Sequence, residues 1–191
     1  MSYRVQSAAQ WAAIFGFLAT SGAAHAQEHA HGVAKLSIAV EGAGFTVQLE
    51  SPLDNLVGFE HAPRNKQQEQ AVRAMADKLR GAGALFKPNS EAQCRLGKSE
   101  LASSALPPAL IGKAGAKAAP KETGKPSAKA EHADLDASFE FACARPEALK
   151  SLNLASMFSG FTGLRRIEVQ LVTQKRQLKR TLTRTSATLA W

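Results

Sequence analysis

The chain has 191 residues, a formal net charge of +8, two cysteines and only 6% aromatic residues. This length is enough for one domain with its own core. The few, scattered aromatic side chains exclude a base-stacking platform for nucleic acid. Motifs of phosphate loops, serine-nucleophile elbows and HExxH zinc hydrolases do not occur. We therefore expect neither an enzyme nor a nucleic-acid-binding protein.

The first 26 residues have the layout of a secretory signal peptide. Residues 1–4 carry a positive charge, residues 11–19 form an apolar run, and small residues end in Ala-His-Ala at Ala26. A membrane anchor is the less favoured interpretation, because the run is too short to cross about 30 Å of hydrocarbon. No later segment is long and apolar enough to span a bilayer. We predict cleavage after Ala26 and an exported, soluble domain over residues 27–191.

The mature chain opens with a predicted β-hairpin. Apolar and polar residues alternate through residues 33–50, with the turn EGAG in the middle, so that one face of the hairpin is buried. The segment SPLDNLVGFEHAP follows as a predicted loop. Pro52 ends the strand there, and Asp54 and Asn55 favour local bonds from side chain to backbone.

A helix and a basic loop are predicted next. Apolar residues recur at three- and four-residue steps over about 64–80, and Gly81 lies where such a helix would end. A strand containing the first cysteine comes after it. Residues 107–130 are rich in Lys, Ala, Gly and Pro, with lysines every four residues, but Pro120 and Pro126 prevent a helix. We predict a flexible basic loop within the domain.

The last third of the chain again has the pattern of strands. Residues 132–143 alternate most regularly, a short helix is predicted near Pro146, and residues 164–191 contain strands separated by a polar turn at about 173–177. The elements thus run β-β-α-β-loop-β-α-β-β, without a βα repeat. This order predicts an α+β fold with a mostly antiparallel sheet, one main helix and one or two short helices.

The two cysteines, Cys94 and Cys143, are an even pair in a chain with an export signal. We predict a disulfide, whose loop of about fifty residues would stabilise the fold by ~4 kcal/mol in the chain-entropy model. A reactive or metal-bound thiol pair is the alternative, which the absence of a CxxC spacing disfavours.

The histidines are the strongest chemical signal. His29 and His31 form an H-x-H pair whose rings project from one face of an extended segment, and two such imidazoles can chelate one Zn²⁺. Each mature histidine also lies next to a carboxylate or shares a strand face with one, and a carboxylate can be a ligand or orient one. The candidate metal site consists of His29, His31, Glu60, His61, His132 and Asp134.

Other interpretations of these histidines stay open. A solvated chain end, a histidine at the edge of a loop and the solvent face of a sheet would produce the same local patterns. Imidazole and carboxylate donors also suit Cu²⁺ and Ni²⁺, so the metal's identity is not determined by the donor types.

Basic side chains crowd the C-terminal strands. Either they dock an acidic partner or a membrane surface, or they prevent association between sheet edges. The candidate patch consists of Arg165, Arg166, Lys175, Arg176, Lys179 and Arg180.

Several segments together resemble the ZrgA-like family of exported bacterial proteins of zinc homeostasis. They are EHAHGVAKLSIAVEG, VQLESPLDNLVGFEHAP, AQCRL, HADLDASFEFAC and GLRRIEVQLVT, in this order and over nearly all the mature chain. The resemblance implies a periplasmic, non-enzymatic zinc-binding protein that assists a high-affinity zinc ABC importer or its solute-binding protein. Residue by residue it points to His29, His31, Glu60, His61 and His132.

One segment departs from the family. Many relatives have a loop rich in His, Asp and Glu between the cysteine-bearing strands, where this chain has its lysine-rich loop. A cationic loop repels Zn²⁺, so we expect a compact site made by the scattered histidines, which should lose its metal below about pH 6. The competing hypothesis is a metal-independent envelope adaptor that docks through the basic loop and the C-terminal strands.

Overall fold

The computed structural model describes residues 31–112 and 133–191. The predicted signal peptide, His29, His132 and most of the predicted basic loop lie outside the described residues. The strands are β1 (Val33–Glu41), β2 (Gly44–Pro52), β3 (Lys87–Pro88), β4 (Cys94–Ala102), β5 (Asp134–Cys143), β6 (Ser151–Asn153), β7 (Arg166–Thr173), β8 (Gln177–Thr183) and β9 (Thr188–Ala190). The helices are α1 (Leu53–Val57), α2 (Lys66–Arg80), α3 (Pro108–Ile111) and α4 (Ala155–Gly160).

Six strands form one sheet in the order β4-β5-β2-β1-β7-β8. Every neighbouring pair is antiparallel except β1 and β7, which run parallel. The short strands β3, β6 and β9 form a second, antiparallel sheet. The predicted α+β class with a mostly antiparallel sheet is therefore confirmed.

The core lies on one face of the six-stranded sheet. Because side chains alternate between faces along a strand, the register places Leu36, Leu49 and Ala137 side by side on the buried face. Helix α2 buries its apolar stripe of Val72, Met75, Ala76 and Leu79. It begins after Asn65, whose side chain accepts a hydrogen bond from the Gln68 N–H at 2.9 Å. The predicted hairpin and main helix are thus confirmed, with the helix starting two residues later than predicted.

Two segments predicted as loops contain short helices. Residues 53–57 form α1, with Leu53 fully buried. The first residues of the predicted basic loop form α3, where Leu110 and Ile111 are 7% and 5% exposed. Both differences have one cause: a few apolar residues in a polar or proline-rich segment are enough to pin it to a core.

The predicted disulfide between Cys94 and Cys143 is confirmed, and no cysteine is free among the described residues. It joins directly opposite residues of β4 and β5. No helix in the described part of the chain is long and apolar enough to cross a membrane.

Candidate metal site around His31

Asn55 ties the segment before β1 to helix α1. Its side-chain oxygen accepts the backbone N–H of Gly32, and its amide donates to the Val33 carbonyl at 2.9 Å and to the Ser51 hydroxyl at 3.3 Å. Asn55 and Ser51 are the two buried polar side chains among the described residues, each 1% exposed. A buried amide with this many partners fixes both segments, because breaking any of its bonds would leave a polar group without water.

Two glycines allow the close approach of these segments. Gly32 has a φ of +81°, and its carbonyl accepts the backbone N–H groups of Arg165 and Arg166 at 2.8 and 3.0 Å. A Cβ at Gly163 would lie 2.6 Å from the Asn55 carbonyl oxygen. The start of β1, helix α1 and the segment before β7 therefore meet at a point where neither glycine can be replaced without movement.

His31 lies next to two carboxylates as a result. Its Nδ1 is 3.2 Å from Asp54 Oδ2 and 3.7 Å from Glu60 Oε1. The His31 side chain is 67% exposed, while those of Asp54 and Glu60 are 40% and 22% exposed. A carboxylate can only accept a hydrogen bond, so Nδ1 carries the proton in the contact with Asp54. In the neutral ring, Nε2 is then the nitrogen with a free lone pair.

His61 is held in the same tautomer by a different contact. Its Nδ1 donates to the Ala62 carbonyl oxygen at 2.8 Å, and its ring stacks on Phe59 with the ring centres 5.0 Å apart. A backbone carbonyl also only accepts, so the neutral ring again has its lone pair on Nε2. A bond from Nδ1–H to a carboxylate or carbonyl is how metal-binding histidines are commonly oriented.

The described residues contain no group of three or more His, Cys, Asp or Glu side chains that is arranged to hold a metal ion. In both His31 and His61, Nδ1 makes a hydrogen bond, as it commonly does in histidines that bind a metal through Nε2. A complete coordination shell would need donors beyond these two imidazole Nε2 atoms.

The remaining predicted ligands are His29, His132 and Asp134. His29 and His132 lie outside the described residues. Asp134 begins β5 directly opposite Pro52, the residue that precedes α1. Burial and the nearby carboxylates of Glu50 and Asp134 raise the pKa of Asp136 on the same strand.

Asp54 and Asn55 were not predicted from the sequence as parts of this site. Both were interpreted as loop residues with local bonds, yet the main contacts of each cross more than twenty residues of chain. The signal was present in the spacing, since the apolar residues Leu53, Leu56 and Val57 stand at helical steps around them.

The candidate basic patch extends along β7 and β8. Arg165 and Arg166 lie at the start of β7, whereas Lys175 and Arg176 lie in the turn after its end, about 25 Å away along an eight-residue strand. The aliphatic part of Arg165 packs against Gly32, and Arg166 Nε is 3.7 Å from Glu168 Oε1. Lys179 and Arg180 lie on β8 opposite Gln170 and Val169, between these two ends of the patch.

The model of one family, described as "ZrgA family zinc uptake protein", matches residues 28–191. No curated protein matches the chain. The match includes His29, His31, the segment from Asp54 to His61 and both cysteines. The chain therefore belongs to the ZrgA family of zinc uptake proteins.

Proposed function

We propose that this protein is a non-enzymatic periplasmic accessory protein of zinc uptake, which binds Zn²⁺ through His31 and His61. The observation that carries the proposal is the shared state of the two rings: each has Nδ1 occupied as a donor, so each neutral ring offers Nε2 to a metal. Imidazole nitrogen is a preferred donor for Zn²⁺. His29, two residues before His31, supplies a third imidazole.

Asp54 and Glu60 have an electrostatic and orienting role in this proposal. Asp54 orients the His31 ring, and the two carboxylates lower the cost of bringing a divalent cation to the site. Glu60 contacts the His31 ring and directly precedes His61 in the chain. We assign His132 and Asp134 as further candidate donors.

The proposed location rests on three supports. The first 26 residues have the layout of a signal peptide, the family match begins at residue 28, and the disulfide requires an oxidising compartment in most organisms. Purification from the periplasm of a bacterial host and mass spectrometry of the N-terminus test this directly. We expect a chain that begins at Gln27.

The proposed site binds few ions. The segment that is rich in metal ligands in many relatives is rich in lysine here. We expect about one Zn²⁺ per chain, since four imidazoles can fill the shell of one tetrahedral ion. The protein would hand this ion to a zinc ABC importer or to its solute-binding protein.

Zinc titration calorimetry of the periplasm-purified protein tests the proposal. We expect saturable binding that is lost in His31→Ala and in the triple variant His29→Ala/His31→Ala/His61→Ala, and that weakens about 10–100-fold in Asp54→Ala. Glu147→Gln is a matched control, because this exposed carboxylate follows the far end of β5. Competition with Cu²⁺ and Ni²⁺ identifies the preferred metal. Equal affinity in wild type and the triple variant would exclude the proposed ligands.

A further inference from the structure

Strand β8 has an outer edge without a strand partner among the described residues. It is last in the order of the six-stranded sheet and pairs only with β7, from Val172↔Gln177 to Arg166↔Thr183. The pairing runs over seven residues without a register shift, and the strand contains no proline. Such a regular edge offers a row of backbone donors and acceptors to another strand.

The register shows which backbone groups point outward. The β7–β8 turn is closed by the bond from the Thr173 N–H to the Arg176 carbonyl at 2.9 Å, so Thr173 and Arg176 are a hydrogen-bonded pair. Hydrogen-bonded and non-hydrogen-bonded pairs alternate in an antiparallel ladder. The N–H and C=O groups of Gln177, Lys179 and Thr181 therefore point away from β7.

The end of the strand agrees with this alternation. Thr183, two residues after Thr181, exchanges both of its outward backbone bonds with Ser186, at 3.1 and 3.0 Å. The outward groups of Thr183 are thus already used by the chain itself. At Lys179, the carbonyl has one long contact, with the Arg180 guanidinium at 3.4 Å. The free part of the edge is the stretch 177–181.

The charge along this edge is of one sign. Lys175, Arg176, Lys179 and Arg180 are exposed, and none has an acidic partner within 4.0 Å in the described part of the chain. A second copy would place these cations against each other, which disfavours pairing between two β8 edges. An acidic strand would meet opposite charges at the turn and in the middle of β8.

The other edge of the same sheet is built differently. Strand β4 has a register shift between Leu96 and Lys98, and Lys98 is neutralised by Glu100 at 3.0 Å and Glu140 at 3.7 Å. A bulge and paired charges are common means of blocking an edge. Strand β8 has unpaired cations and a regular backbone instead, so its charge selects among partners without blocking the edge.

We propose that the β8 edge binds an extended acidic segment of a partner protein by strand addition. The segment's backbone pairs with Gln177, Lys179 and Thr181, and carboxylates on one of its faces lie against Lys179 and the turn cations Lys175 and Arg176. A membrane surface is the less favoured partner, because a bilayer supplies anions but no row of backbone groups. This inference does not depend on the zinc proposal.

Fluorescence anisotropy with a labelled peptide tests the proposal. The probe alternates valine and glutamate over about eight residues, which matches the length of a strand. Thr181→Pro removes an outward N–H, a position where an edge strand tolerates proline. The loss of this bond should weaken binding about tenfold or more. Arg95→Glu, a reversal of charge at an exposed position on β4, should leave the affinity unchanged.

A second probe separates strand addition from simple charge attraction and does not depend on any protein variant. Two peptides of the same sequence are N-methylated, one at the odd-numbered and one at the even-numbered residues, and both keep their charge. In one of the two, the methylated residues are those that would donate to the edge. We expect the binding of that peptide to be lost. Equal binding of both methylated forms and the parent peptide would overturn the proposal, as would the absence of saturable peptide binding. Binding to phosphatidylglycerol vesicles that Thr181→Pro leaves unchanged, without peptide binding, would also overturn it.

Discussion

Replacement of Asn55 with alanine should destabilise the fold and weaken zinc binding together. The change removes the partners of the Gly32 N–H and the Val33 carbonyl. The Asn55 side chain is only 1% exposed, so water does not readily replace these bonds. Each buried polar group left without a partner costs about 1–3 kcal/mol. Because Val33 lies at the end of a strand and is only partly buried, we expect the lower half of the summed range, about 2–4 kcal/mol.

Urea unfolding followed by circular dichroism measures this loss. The protein should stay folded without urea, since domains of this size usually have 5–15 kcal/mol of stability. Zinc titration of the folded variant should then resemble that of His31→Ala, because the amide no longer holds the His31 segment beside Asp54.

An exposed asparagine is the matched control for this prediction. Asn153 also bonds through both side-chain atoms, to Thr188 Oγ1 and to the Ala155 N–H, but it is exposed. Water can replace its partners, so Asn153→Ala should cost about 1 kcal/mol or less and leave zinc binding intact. A loss below about 0.5 kcal/mol in Asn55→Ala, within the range of surface substitutions, would refute the assigned role of Asn55.

Three further predictions concern other parts of the fold. Replacing Cys94 and Cys143 with alanine should cost about 4 kcal/mol in urea unfolding without changing zinc affinity, because the disulfide lies at the end of β5 far from α1. Gly163→Ala should destabilise by about 1–3 kcal/mol through overpacking, whereas Gly97→Ala, whose Cβ would lie 3.6 Å from its nearest neighbour, should have a much smaller effect. Asp136→Asn should raise stability at pH 7 by up to about 0.5 kcal/mol and leave it unchanged near pH 3. The pKa of Asp136 is raised from 3.8 in the folded protein, so its charge opposes folding only as pH rises above that value.

The larger elements were predictable because their patterns are long. Buried and exposed residues alternate over the ten residues of strand β5, and apolar residues recur at helical spacing over the fifteen residues of helix α2. Each segment is therefore long enough for its hydrophobic period to be identified. Strands β3 and β6 have two and three residues. No period can be identified in segments of this length, and their existence depends on pairing with residues distant in sequence.

The candidate site was predictable in part. The donor types and the histidine positions can be read from the sequence. Asp54 is part of the site only because α1 forms and because Asn55 bonds to residues 22 and 23 positions earlier in the chain. Such contacts depend on tertiary structure. The same holds for the basic residues, whose spread along the sheet follows from the length of β7 and its pairing with β8.

Zinc-edge anomalous diffraction from crystals of the zinc-loaded protein tests directly whether His31 and His61 bind the same ion. We expect a peak about 2 Å from Nε2 of His31, with the Nδ1 of that ring still bonded to Asp54, and with His61 Nε2 bound to the same ion. A zinc peak elsewhere with none at His31, in a protein that binds zinc in solution, would contradict this expectation.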